Sequence, residues 1–346
     1  MPSPTRAAFL LRVGGLASVS LVAGLAGCAA RRTGANVLHV GMVTDTGGLG
    51  DHSFNDSAYA GLVRAHRELG VATTVLESTS AADYQVNLTV LANKEYDEIF
   101  AIGFLMAEDV SEVAQRYPQR HFGIIDAVVD LPNVTSVTFK EEEGSFLAGA
   151  LAALVTKTKT IAFLGGIDLP LLRKFEAGYA AGARQIDPSV KVLVKYVGSF
   201  DDVASGKELA QVLYDQGADI IYCAAGKAGL GAIDAAKQRP GAYIIGVDAN
   251  QDALAPGKIL TSMIKRVDVG VFTVCADIVR HHPLPGHLVL GLAQGGVGLT
   301  DFRYTRAIVT PPIIAELKQL RAAIIAGKIV VPSTREELAS FKPVRL

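Results

Sequence analysis

The sequence predicts an α/β protein made of two parallel-sheet units that face each other across a cleft. Three observations carry that prediction. Short apolar runs alternate with amphipathic helical patterns, the signature of parallel strands covered on both faces. The second half of the chain repeats the plan of the first at an offset of about 121–125 residues, as expected of two copies of one supersecondary plan. Acids and glycines stand where the strand-like runs end. In open α/β sheets, ligands sit beyond those ends. The length of 346 residues suits two domains of about 150 each.

The elements follow in order. Residues 1–12 carry Arg6 and Arg12 and no acid, and 13–27 are apolar or small. That layout predicts a signal peptide, too short in its apolar part to span a bilayer. It ends Leu25-Ala26-Gly27-Cys28, which resembles a bacterial lipobox. Cys28 is therefore the expected lipidation site and mature first residue, with 28–36 as a tether. A membrane would be met through lipid only, on the periplasmic or extracellular side. From Val37 onward, four buried strands are predicted over 37–45, 71–78, 98–103 and 122–126. A helix is predicted over 53–69, with Phe54, Ala58, Leu62 and Ala65 on one face. In the second half, 161–168, 191–199, 219–226 and 244–248 match those strands in turn. Ser262–Lys265 matches Val137–Lys140. Asp45, Gly103 and Asp126 then end strands in the first unit, and Asp168, Gly226 and Asp248 in the second. Two such units facing each other form a hinged cleft.

Composition and missing motifs exclude several function classes. Lys plus Arg is 33 and Asp plus Glu is 34, a net charge of −1. There is no global field to attract nucleic acid. Half of the residues are hydrophobic and 19% charged, which excludes disorder and a coiled coil. Gly206-Lys207 is followed by Glu208, so no phosphate-binding P-loop is present. There is no G-x-S-x-G, C-x-x-C or H-E-x-x-H, so neither catalysis nor a metal is expected. His281, His282 and His287 read as a solvated loop around Pro283 and Pro285. Cys223 reads as core; one disulfide with Cys275 is possible but not required. No cofactor is expected.

What remains suits a neutral polar ligand. Asp45, Asp126 and Asp248 are acceptors that take hydroxyl or N–H donors and reject anions. Asn55 and Lys265 add donors. Phe54 and Phe200 lie just past strand ends and can sandwich a flat ring; with no Trp in the chain, phenylalanine and tyrosine must supply any stacking. Each residue also has a plain structural reading: a strand-end Asp often caps the next helix, and Phe54 fits a helix core.

The stretch Gly41 to Asn55, reading Gly-Met-Val-Thr-Asp-Thr-Gly-Gly-Leu-Gly-Asp-His-Ser-Phe-Asn, resembles the opening signature of the BMP (basic membrane protein) family. These are lipoprotein substrate-binding components of ABC transporters, purine-nucleoside receptors among them. The resemblance continues through Gly103–Met106, Ile124–Asp126, Phe163–Asp168, Phe175–Tyr179, Tyr196–Phe200, Ala224–Gly226, Gly246–Asp248 and Lys265–Asp268, and covers roughly 37–335. It implies a type I periplasmic-binding-protein fold, two Rossmann-like lobes joined by a three-strand hinge. One lobe would comprise 37–138 plus about 266–298, the other 139–265 plus about 299–341. It implies a nucleoside between the lobes. Phe54 and Phe200 would stack on the base. Asp45, Asn55 and Asp126 would read base or sugar donors, and Asp248 would accept from the ribose hydroxyls. Lys265 would reach the sugar side, and Gly226 would let the backbone approach. Its partners would be a permease and an ATPase, and the receptor would be a monomer. Two positions depart from the family: Lys227 replaces a common Gly, and His52, expected to face solvent, replaces a common Lys. Two other readings stand beside this one. One is a receptor of the same fold for a sugar or signalling molecule, since fold does not fix ligand. The other is an exported nucleoside hydrolase.

Overall fold

The computed structural model describes residues 37–284 and 286–345. Cys28 and the predicted signal and tether lie outside the described residues. The first sheet is built from β1 (His39–Val43), β2 (Ala72–Leu76), β3 (Glu98–Ile102), β4 (His121–Ile125) and β5 (Val134–Phe139). The second is built from β6 (Thr160–Gly165), β7 (Lys191–Tyr196), β8 (Ile220–Ala224), β9 (Tyr243–Asp248) and β10 (Ile259–Lys265). One further strand joins each, β11 (His287–Leu290) the first and β12 (Val297–Leu299) the second. The orders are β11-β5-β4-β3-β1-β2 and β12-β10-β9-β8-β6-β7. The two sheets therefore share one plan, as the repeat predicts. All pairings are parallel except β12, which runs antiparallel to β10.

In the first unit α1 (Phe54–Leu69), α2 (Ala82–Asn93) and α3 (Ala107–Arg116) connect the strands. In the second, α5 (Pro170–Ile186), α6 (Val203–Asp215) and α7 (Gly229–Gln238) do so; α4 (Glu141–Val155) precedes them. After β10 come α8 (Val267–Val279), α9 (Pro311–Ile325) and α10 (Arg335–Ser340). All five residues of β3 and of β8 are buried. Helices on both faces of a parallel sheet require this, and it is why the strands read as unbroken apolar runs.

Helix α1 shows how the chain sets a functional residue. Asp51 accepts from the backbone N–H groups of Ser53, Asn55 and Asp56 at 2.9, 2.8 and 3.1 Å. It ties down the donors that a helix start leaves without partners. Gly70, with φ 74°, closes the other end, a left-handed turn that favours glycine. Ala58, Leu62 and Ala65 are buried, and α1 packs against α8.

Helices α4 and α5 meet backbone to backbone. A Cβ on Gly149 would stand 1.9 Å from the Tyr179 carbonyl oxygen, and one on Gly182 1.9 Å from that of Phe146. Only glycine allows this approach, and it locks α4 onto the second unit.

The chain passes between the sheets three times: after Phe139, after Lys265 and between Leu290 and Val297. The crossings lie side by side. Lys140 N–H donates to the Leu290 carbonyl at 3.1 Å, and Arg266 N–H to that of Gly296 at 2.8 Å. Strand β5 is followed by one residue and α4, and β10 by one residue and α8. The structural counterpart of Lys265 is therefore Phe139. The sequence match that paired Lys265 with Lys140 is one residue out of step.

Candidate functional site

A cleft opens between the carboxyl ends of the two sheets, with about 580 Å³ of free space including its mouth. Asp45, Phe54, Asn55, Asp126, Phe200, Gly226, Asp248 and Lys265 all line it. All eight ligand-binding residues expected from sequence thus reach one cavity, while Asp168, a strand-end acid expected beside them, does not.

On the first-sheet side, Asp45 follows β1. Its Oδ1 accepts from Gly47 N–H at 2.9 Å and Asn55 Nδ2 at 2.8 Å. Asn55 Nδ2 also donates to Asp51 Oδ2 at 3.2 Å. Burial, despite those bonds, pushes Asp45 up to about 6. Phe54, first residue of α1, lies close to Gly103: a Cβ there would sit 3.6 Å from its ring. Phe54 is half-buried: it packs against the core and also lines the cleft.

Asp126 and Asp248 stand at matched strand ends, and both adopt left-handed backbone, φ 69° and 62°. Asp tolerates that conformation better than most side chains. Between them lies Lys265, buried at the end of β10. Its Nζ is 2.5 Å from Asp126 Oδ2, and 3.9 Å from both Asp248 Oδ1 and Glu141 Oε1. The ammonium also lies 4.7 Å from the Phe54 ring centre, 5.5 Å from Phe139 and 5.6 Å from Phe175, within cation–π reach. Burial pulls the Lys265 pKa down, but the three carboxylates outweigh it and hold the amine protonated. Burial pushes Asp248 up to about 6, against the pull of Lys265. Burial pushes Glu141 up to about 8.

The two units touch across the cleft floor. Ser53 Oγ donates to Asp248 Oδ2 at 2.7 Å, and Gln251 Nε2 to the His52 carbonyl at 3.0 Å. Two buried acceptors of the cleft lining, Asn55 Oδ1 and Asp126 Oδ1, have no hydrogen-bond partner among the described residues. Leaving a buried acceptor unmatched costs about 1–3 kcal/mol.

Other residues fall elsewhere or were not foreseen. Asp168, expected at a strand end, lies three residues beyond β6 and is exposed outside the cleft, bonded to Arg173 at 2.7 Å and Arg335 at 3.3 Å. Glu141 and Phe175 joined the cluster with no sequence signal beyond an acidic helix start and a helix-core pattern. Phe104, edge-on to Phe200 at 6.3 Å, lines the mouth. His52 faces solvent. Cys223 and Cys275 are buried free thiols.

Fold and cleft together define a two-lobed solute-binding protein. Residues 38–335 match the Bmp family, described as ABC transporter substrate-binding protein PnrA-like. The chain is 36% identical to the ABC transporter nucleoside-binding protein BmpA of Lactococcus lactis over 92% of its length and 96% of that protein. It is 38% identical to an uncharacterized lipoprotein of Pyrococcus abyssi over 84% and 76%. The crystal structure of an ABC transporter solute-binding protein from Aeropyrum pernix K1 is similar with a TM-score of 0.78 at 31% identity, covering 88% of this chain and 96% of that one. The chain belongs to the Bmp family of ABC transporter substrate-binding proteins. Among the described residues no helix is long and apolar enough to cross a membrane.

Proposed function

We propose that the cleft binds a nucleoside, a purine nucleoside in particular, and delivers it to an ABC permease and its ATPase from a lipid anchor at Cys28. One observation carries the reading: the cleft combines the ring faces of Phe54 and Phe200 with acceptors, two of them buried without a hydrogen-bond partner among the described residues. A flat heterocycle carrying N–H and hydroxyl donors satisfies both. Asp45, Asn55 and Asp126 meet donors on the base or sugar. Asp248 takes the ribose hydroxyls, with Lys265 fixing its charge and position. Gly226, with φ 55°, lets the backbone close on the ligand. The name of the Lactococcus relative supports the same ligand class. The mechanism is hinge closure without bond making: one lobe, built on the first sheet, takes the ligand and the other closes over it.

The test is a thermal shift on the chain from Ala29, unfolded and refolded to strip carried ligand. Ligand at about 100 times its dissociation constant adds about 2.7 kcal/mol of stability. Inosine, adenosine or guanosine should raise the melting temperature, and ribose or adenine alone should not. No shift with any nucleoside would sink the reading, and a shift with ribose alone would make the ligand a sugar. Release of free base on incubation would make the protein a hydrolase.

A further inference from the structure

Two matched turns face the cleft. In the first unit β3 leads through Gly103 into a 3-10 turn, Phe104–Met106, and then α3; in the second, β8 leads into the turn Gly226–Ala228 and then α7. The middle residue of each turn, Leu105 and Lys227, lines the cleft. One is an apolar side chain. The other is a lysine, half-buried as a residue. Ala228 N–H donates to the Phe200 carbonyl at 2.9 Å, so the Lys227 stem leaves the backbone beside Phe200.

Lys227 has no hydrogen-bond or ion-pair partner among the described residues. The cleft acids are engaged elsewhere. Charges acting on Asp45 come from Asp51 and Asp201, and those on Asp248 from Lys265, Asp126 and Asp51. An ammonium drawn partly out of water needs acceptors for its three donors. On the ligand side, the rest of the cleft presents mainly acceptors.

We infer that Lys227 is a specificity-determining residue that donates to an oxygen acceptor on the ligand. The inference rests on the nucleoside reading. Two oxygens can serve. One is the 6-oxo group of a purine, whose O6/N7 edge is a common lysine partner. The other is a phosphate on the 5′ carbon. A 6-amino group presents a donor and cannot.

The test compares inosine, adenosine and adenosine 5′-monophosphate by calorimetry on the refolded chain and on Lys227→Met, which keeps the stem and removes the donors. The variant should weaken inosine, or the monophosphate, about ten-fold more than adenosine, the scale of a charge-assisted hydrogen bond. The weakened ligand identifies the oxygen. The variant should melt with the parent, because Lys227 holds nothing in the protein. Equal effects on all three ligands, or none, would overturn the inference and leave the nucleoside reading intact. Failure of the parent to bind any of them would overturn both.

Discussion

Replacing Lys265 with Met removes the buried cation that faces three buried acids, leaving only the half-buried Lys174, 3.5 Å from Glu141. Met keeps most of the apolar stem and removes the ammonium together with its cation–π contacts to Phe54, Phe139 and Phe175. The ammonium lies 2.5 Å from Asp126 and 3.9 Å from Asp248 and from Glu141. Two unit charges about 4 Å apart attract by about 4 kcal/mol at an effective dielectric of about 20, before desolvation is subtracted. Breaking a buried pair by removing one partner costs about 3–5 kcal/mol. Protonation of the abandoned carboxyls relieves part of that loss, which gives it a pH signature. Asp248 is already raised to about 6 and Glu141 to about 8, both above their unfolded values. A carboxyl raised in the folded state favours folding most below its unfolded pKa, and that advantage fades as pH rises through the folded pKa. Without Lys265 both values climb further. The deficit of the variant should therefore be near the low end, about 3 kcal/mol, at about pH 5 and larger at about pH 8. Urea unfolding followed by circular dichroism, parent beside variant, reads it directly. A deficit below about 1 kcal/mol, or one unchanged across that range, would show that Lys265 does not compensate these acids.

Three further outcomes follow from the same geometry. Asp248→Ala should weaken nucleoside binding at least about ten-fold in calorimetry while the fold survives, since it removes the acceptor for sugar hydroxyls and frees Ser53; unchanged affinity removes Asp248 from the site. Phe54→Ala should weaken a purine nucleoside more than ribose, and an equal loss for both argues against stacking on its ring. Gly182→Ala places a methyl 1.9 Å from the Phe146 carbonyl oxygen. It should cost about 3 kcal/mol or more in urea unfolding, and a neutral result would mean that the α4–α5 contact can slide apart.

Much of this was legible before the structure. Strands buried on both faces carry apolar runs, so β1, β3, β4 and their repeats stood out; β2 and β7, expected to be buried as well, stand at the sheet edges and are only partly covered. The cleft acids stood out because they close those runs. What escaped was non-local. Asp168 closes an apolar run as Asp248 does, but β6 ends three residues before it, and Arg173 on the following helix and Arg335, far along the chain, hold it in a surface ion pair. Glu141 stands in a run of three glutamates that reads as an ordinary acidic helix start. Its burial against Lys265 exists only once α4 is pinned to α5. Strand β12 spans three residues including Gly298, too short to carry an alternating pattern, so its antiparallel pairing left no trace in the sequence.

The repeat also bears on which way round a ligand lies. Asp126 and Asp248 occupy matched strand ends with the same left-handed backbone, so a cleft built from these alone would look alike from either end. The next pair of matched strands ends the likeness, with Phe139 closing β5 and Lys265 closing β10. At that position the second half brings a charge to the cleft, which Lys265 lines, whereas Phe139 stays in the core. A long molecule placed head-first or tail-first meets different partners, so the two placements differ in energy and one prevails. A single divergence between the repeated halves thus gives the cleft a polarity.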